Sequence, residues 1–144
     1  MATEIKTLTI DDYDAIINIW DMAGLPTKQK GRDSRELFAK EMALDQVAIY
    51  GLFLDNEMIG VGMANWDGRR GWINRVAIHP DHRGHAYAGI IVRECKTFLK
   101  DCGALAICAL IEEMNSPSLT CFQKEGLNCN NDIVYLCEYA FEGA

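Results

Sequence analysis

No apolar run in this sequence approaches the roughly 20 residues that a membrane-spanning helix needs. The opening residues Met1-Ala2-Thr3-Glu4 lack the basic and then apolar segments of a secretory leader. No Cys-x-x-Cys pair occurs among the six cysteines (95, 102, 108, 121, 129 and 137), and most of them fall inside apolar segments. That spacing argues against a zinc site or a disulfide framework, and for reduced, partly buried thiols in a cytoplasmic protein. Positive charge is scarce. Fourteen Lys and Arg against 21 Asp and Glu leave a net charge of −7. Such a chain is a poor partner for the phosphates of nucleic acid, and it mildly favours a cationic ligand such as an amine. Linkers, repeats and low-complexity segments are also absent, so residues 1–144 read as a single domain, long enough to bury about two-thirds of its unfolded surface.

What the sequence does contain is short apolar runs alternating with amphipathic stretches. Ile5, Leu8 and Ile10 fit a first strand. After the helix-start residues Thr9, Asp11 and Asp12, the apolar residues Tyr13, Ile16, Ile17 and Trp20 recur at helical spacing until Gly24 and Pro26. Asp33-Ser34-Arg35-Glu36 is a capping-box pattern opening a second helix through Leu37, Phe38, Glu41 and Met42. The preceding cluster of Lys28, Lys30, Arg32 and Arg35 reads as a solvated face. Three strands follow (47–54, 58–66 and 72–78), joined by turns short enough to make an antiparallel meander. Gly60 and Gly62 leave room for a close neighbour on the middle strand. Residues 86–100 form a helix with Ile91, Cys95, Phe98, Leu99 and Cys102 inward, ended by Gly103. The apolar run 104–111 is then a strand parallel to 72–78, because a helix crosses over between them. Asn115-Ser116-Pro117-Ser118 opens a last helix that Gly126 ends, and 133–139 reads as a final strand. The order β-α-α-β-β-β-α-β-α-β predicts an α/β (α+β) fold: a mixed, mostly antiparallel sheet with helices on both faces.

The most informative stretch runs from Arg75 to Gly89. An apolar strand stops at His79-Pro80-Asp81, a polar turn with Gly84 follows, and a helix begins. A helix N-terminus carries unpaired N–H groups and the positive end of the dipole, so a small-residue turn before it suits a phosphate. No Gly-Lys-Ser/Thr follows and no G-x-G-x-x-G occurs, which excludes a Walker loop and a dinucleotide fingerprint. Arg83-Gly84-His85-Ala86-Tyr87-Ala88 resembles motif A of the GNAT acetyltransferases, Arg/Gln-x-x-Gly-x-Gly/Ala. Ala86 stands where that family usually has Gly. A second motif, Asn115-x-x-Ser118-x-x-x-Phe122-x-Lys124-x-Gly126-Leu127, resembles the family's Asn-x-x-Ala-x-x-x-Tyr-x-Lys-x-Gly-Phe. The resemblance covers nearly the whole chain, most specifically residues 72–127.

The resemblance implies a splay between the two parallel strands and acetyl-CoA as co-substrate. The backbone of Val76, Ala77 and Ile78 then pairs with the pantetheine amides, and the N–H groups of Gly84, His85, Ala86, Tyr87, Ala88 and Gly89 hold the pyrophosphate. Arg83 either contacts a phosphate or braces the turn. Asn115 caps its helix and can bind the pantetheine end. Phe122 replaces the Tyr with which the family protonates the departing thiolate, leaving water, Cys121 or Tyr87 as donors. Glu112 and Glu113, at the end of the 104–111 run, are the expected proton acceptors for the incoming amine, with Asp67 a third candidate. His79, His82 and His85 invite a metal reading, but Pro80 breaks any common face and no acid completes a ligand set, so no metal is expected. Dimers are frequent in the family, so a homodimer is among the implied assemblies. The implied activity is direct transfer of acetyl from acetyl-CoA to a primary amine, on a small molecule or peptide. The rivals are an acyl-CoA-binding module with lost catalysis, for which Ala86 and Phe122 speak, and a nucleotide-binding regulator on another α/β fold.

Overall fold

Asp55-Asn56 is the tightest of the turns, and it shows how the strands fold back on one another. Both residues take positive φ, 51° and 67°, the geometry of a two-residue hairpin loop that Asp and Asn tolerate best among non-glycine residues. In the computed structural model, which describes residues 2–144, this loop joins β2 (Val47–Leu54) to β3 (Glu57–Trp66), and β4 (Arg70–Ile78) completes an antiparallel meander. β1 (Thr3–Thr7) adds antiparallel to β2, and β5 (Ala106–Cys108) adds parallel to β4. The sheet order is β1-β2-β3-β4-β5. β1 stops short of Ile10 because Thr9 caps a 3₁₀ turn: Asp12 Oδ2 accepts from Thr9 N–H at 2.9 Å while Thr9 Oγ1 accepts from Asp11 N–H at 3.3 Å.

Helices cover both faces. α1 (Tyr13–Ala23) and α2 (Arg35–Met42) pack on one side, where Ile16, Trp20 and Phe38 meet Ile49, Val61 and Met63. α3 (Tyr87–Cys102) and α4 (Ser116–Lys124) serve the other, where Ile91, Cys95, Leu99 and Phe122 meet Leu52, Ile59 and Ile73. Ser34 caps α2, its Oγ accepting from Leu37 N–H at 3.3 Å, and Asn115 Oδ1 caps α4 through Ser118 N–H at 3.3 Å. Burial pushes the Cys95 thiol up to about 12, with Glu94 adding to the effect, so this cysteine is an inert part of the core. No helix among the described residues is long and apolar enough to cross a membrane.

Two expectations need correction. The run 104–111 forms a strand only at Ala106–Cys108, paired with Arg70, Gly71 and Trp72 at the start of β4. From Ile73 onward β4 has no ladder partner on that side among the described residues. Beyond Trp72 the two parallel strands no longer pair. The expected strand at 133–139 does not form at all. Ile133, Val134, Tyr135 and Leu136 are all exposed. β-propensity measures fit to a pleated, half-buried surface; without a neighbouring ladder to satisfy its backbone, this apolar sequence stays irregular. The chain end is held elsewhere, by Arg32 N–H donating to Gly143 C=O at 3.0 Å.

The two glycines of β3 set how closely α3 approaches the sheet. A Cβ on Gly62 would lie 2.3 Å from Ile91 Cγ2, and one on Gly60 would lie 2.6 Å from Ile78 Cδ1. Gly62→Ala should destabilise the protein by about 2 kcal/mol through overpacking. Adding Ile91→Ala should recover part of that loss, because the second change vacates the space the first one fills. Urea unfolding of the two single variants and the double variant checks this: strict additivity would mean that the two residues do not compete for volume.

Candidate active site

Both cavities of the site are organised by a bulge in β4. Val61 pairs with Ala77 and Met63 with Asn74, so two residues of β4, Arg75 and Val76, oppose Gly62 alone. A bulge bends a strand and re-aims its side chains. Here Arg75 takes a left-handed conformation, φ 53°, and both Asn74 and Arg75 turn toward α1 and α2. The guanidinium of Arg75 stacks on Trp20 at 4.2 Å. Its Nη1 donates to Asp33 Oδ1 at 3.3 Å, and its Nη2 donates to Pro26 C=O at 2.8 Å. In return, Trp20 Nε1 donates to the Arg75 carbonyl at 3.0 Å. Burial lowers the guanidinium pKa, and Asp33 opposes that shift.

Asp33 is the buried counter-charge, 5% exposed. Its Oδ2 accepts from Lys28 N–H at 2.8 Å, and its carbonyl accepts from the Tyr13 hydroxyl. The loop between α1 and α2 is thereby tied down over the bulge. The residues beneath it enclose a cavity of about 430 Å³, walled by Leu25, Phe38, Glu41, Met63, Asn74 and Arg75 among others. Partial burial of its carboxyl end raises Glu41 above its ordinary range, Asp33 adds to this and Arg75 opposes it, while the residue as a whole remains exposed.

A second cavity of about 670 Å³ adjoins the first. Its walls contain nearly all of the residues expected to bind a phosphate-bearing cofactor: Val76, Ala77 and Ile78 of β4, Arg83, Gly84, Ala86, Tyr87, Ala88 and Gly89 of the turn and α3, and Asn115 and Phe122 of α4. The turn is shaped by Pro80–His82, a 3₁₀ segment in which His79 Nδ1 accepts from Asp81 N–H at 3.1 Å. Gly84 sits at φ +85°. The N–H groups of Gly84, His85 and Ala86 have no acceptor among the described residues, and no side chain caps α3. An uncapped helix start with free turn amides at a cavity wall has the chemistry that suits an anion. Arg83 braces that turn, its Nη2 donating to Ala23 C=O at the end of α1, 3.1 Å away. Arg93 and Glu125 also reach the wall, bonded to each other at 2.8 Å across α3 and α4.

Several expected residues fall elsewhere. His85 lies against the Tyr87 ring, 5.5 Å between centroids, and lines neither cavity. Glu112 and Glu113 are exposed in the connection before α4 and also line neither cavity. The divergence of β5 carries the chain after Cys108 away from β4, so position in sequence past the parallel strand did not translate into position at the cleft. Asp67 is committed to its own turn. It accepts from Arg70 N–H at 2.7 Å, Trp72 Nε1 at 3.2 Å and Arg69 N–H at 2.9 Å, and these bonds hold its carboxyl below the usual range. It lines neither cavity and is no candidate base. The helix expected to start at Ala86 starts at Tyr87; Ala86 itself is left-handed, φ 60° and ψ 24°. His79, His82 and His85 do not converge, and no group of three His, Cys, Asp or Glu suited to a metal occurs among the described residues. Asp33, Glu41 and Trp20 went unnoticed as site residues. The available signal was Arg75 itself, a lone charge in the apolar run 72–78 that demands a buried counter-ion.

The profile of the acetyltransferase (GNAT) family matches residues 13–127. An acetyltransferase of Pectobacterium atrosepticum is 26% identical over 123 residues, 84% of each chain. Among solved structures, the PaiA N-acetyltransferase of Thermoplasma acidophilum in complex with coenzyme A is 20% identical and superposes with a TM-score of 0.76 over 90% of this chain and 92% of that one. A predicted acetyltransferase of Clostridium acetobutylicum with acetyl-CoA is 16% identical, with a TM-score of 0.75 over 94% of this chain and 96% of that one. The fold is common to this chain and the two solved structures.

The left-handed backbone at Ala86 carries a side chain where glycine is at ease. Removing the methyl relieves about 1–2 kcal/mol of steric cost, offset by the greater flexibility of glycine in the unfolded chain. Ala86→Gly should therefore stabilise the protein by about 0.5–1 kcal/mol. Chemical denaturation measures it, and a loss of stability would contradict the left-handed geometry.

Proposed function

Because the chain belongs to the GNAT acetyltransferase family, we propose that it transfers the acetyl group of acetyl-CoA directly to a primary amine. The observation that carries this reading is the continuity between the unpaired edge of β4 and the uncapped N-terminus of α3. Past Trp72 the strand has no ladder partner on the β5 side among the described residues, although the Arg75 carbonyl is taken by Trp20, and the turn that follows offers free amides. A pantetheine arm adds to such an edge as a short strand does, while its pyrophosphate takes the amides of Gly84 through Gly89. Arg83 and Lys124 supply positive charge to the same cavity. The neutral amine nitrogen bonds to the acetyl carbon and gives up one proton to solvent, the carbon–sulfur bond breaks, and the sulfur leaves as a thiolate that takes up a proton.

The chain's own contribution is mostly positioning, which can supply a large share of the barrier reduction. Phe122 faces the cavity and is buried, 7% exposed. It has no proton to give. Tyr87 and Cys121 also line the cavity, but burial raises the Cys121 thiol pKa, with Glu125 adding to it. A thiol of ordinary pKa, about 8.5, leaves acceptably without a positioned acid. Phe122 and Ala86 are also what favour a second reading, an acyl-CoA-binding module that has lost catalysis. Thiol release from acetyl-CoA across a panel of primary amines separates the two: binding without turnover for every amine would leave only the module.

Two variants test the parts. Gly84→Glu places a carboxylate at the phosphate turn and should abolish CoA binding in calorimetry while the protein remains folded by circular dichroism; unchanged affinity would remove the turn from the binding site. Phe122→Tyr restores a phenol with almost no change in volume. It should raise single-turnover thiol release within the roughly 10²–10⁴-fold that a positioned acid contributes. No increase at unchanged CoA affinity would mean that the leaving thiolate needs no help.

A further inference from the structure

Two features of this chain are left unsatisfied, and they match each other. The first is the segment 133–141. It carries six exposed large apolar side chains: Ile133, Val134, Tyr135, Leu136, Tyr139 and Phe141. They occupy both alternating faces, which is the pattern of a strand covered on both sides. Across residues 134–140 no backbone N–H or C=O bonds to another backbone group among the described residues. The second feature is the outer edge of β5. This strand ends the sheet, so that edge has no neighbour. Leu105, Leu110 and Met114 flank it, all exposed. The segment does not close onto the edge of its own chain. Just past it, Gly143 C=O accepts from Arg32 N–H at 3.0 Å, in a fit so close that a Cβ on Gly31 would lie 2.3 Å from the same oxygen. At roughly 100 Å² per side chain, the segment alone exposes about 600 Å², the upper end for the largest apolar patch of a typical monomer.

We propose that residues 133–141 of one copy of this chain add as a strand to the β5 edge of a second copy, and that the exchange is reciprocal. Each copy holds both halves, a strand without a ladder and an edge without a strand, so one two-fold pair satisfies all four. Strand addition supplies the missing backbone hydrogen bonds on both sides. The nine exposed apolar residues of the two halves, at roughly 100 Å² each and counted on both copies, amount to about 1,800 Å², the size of a stable interface. Charge speaks against a membrane as the occupant. Glu112, Glu113, Asp132, Glu138 and Glu142 are exposed around the two halves. No Lys or Arg falls between Asp101 and Gln123 or after Lys124, so an anionic lipid surface is repelled. The inference stands apart from the acetyl-transfer reading.

Analytical ultracentrifugation of the full chain tests this. The mass of two chains should appear at about 100 µM and give way to one on dilution. Leu136→Asp in the segment and Leu105→Asp beside β5 should each weaken association at least about a hundredfold in Kd. Leu44→Asp, just past α2, should leave it unchanged. All three leucines are exposed, so circular dichroism should show the same fold in each variant. An equimolar mixture of the Leu136→Asp and Leu105→Asp chains should regain dimers, because one intact segment then meets one intact edge. Amide hydrogen exchange across residues 134–140 should be slow in the dimer and fast in the dissociated chain. Acids on both halves repel, so raising NaCl from about 50 to about 500 mM should tighten the dimer. A single-chain mass at about 100 µM overturns the proposal. If residues 134–140 are protected in that monomer, the segment closes on its own β5 instead; if the monomer binds phosphatidylglycerol vesicles, the surface belongs to a membrane. A dimer indifferent to both substitutions, or a mixture that stays monomeric, overturns the exchange as well.

Discussion

The ion pair between Arg75 and Asp33 is the contact on which the site depends. Arg75 occupies a backbone conformation that costs a side-chain-bearing residue about 1–3 kcal/mol and survives only when its surroundings over-determine it. They do: the guanidinium is stacked on Trp20, bonded to Asp33 and bonded to the Pro26 carbonyl, while the Arg75 carbonyl accepts from Trp20. The same contacts hold the loop between α1 and α2 over β4. Removing either charge would strand the other in a largely enclosed position, which is the expensive way to break a buried pair. The bulge, the loop and the smaller cavity are thus one construction.

A second construction lies along the other half of β4. Gly60 and Gly62 bring α3 against the sheet, and this close approach puts the start of the helix beside the strand end. Because β5 leaves β4 after Trp72, the same strand end has one free edge. Free strand edges are usually an aggregation hazard. In this position the edge opens into a cavity and continues into a turn whose amides are also unpaired, so the unsatisfied groups converge on one ligand-sized space.

The two constructions offer different surfaces. Backbone groups and a helix N-terminus line the larger cavity, where the charge excess is positive. Side chains from the loop between α1 and α2, from α2 and from the bulge line the smaller one. Phe122 stands in the first region as an apolar wall, so the leaving group relies on its own acidity or on solvent.

The sequence by itself determined the meander, the crossover helix, the caps of α2 and α4, the family, and about half of the residues that line the larger cavity. These are local matters: periodicity, turn residues and a contiguous strand-turn-helix motif in which neighbours in sequence are neighbours in space. Tertiary structure alone decided three things. The run 133–139 has the composition of a strand but finds no ladder, since pairing is a property of the partner and not of the segment. Glu112 and Glu113 follow an apolar run that points at the site in sequence, yet the divergence of β5 carries them off the cleft. Arg75 is far in the chain from Asp33 and Glu41 and shares a cavity wall with them only because a one-residue bulge in β4 reverses which face its side chains occupy. A shift of register by one residue leaves no mark in composition or period, but it selects every side chain on the cavity wall.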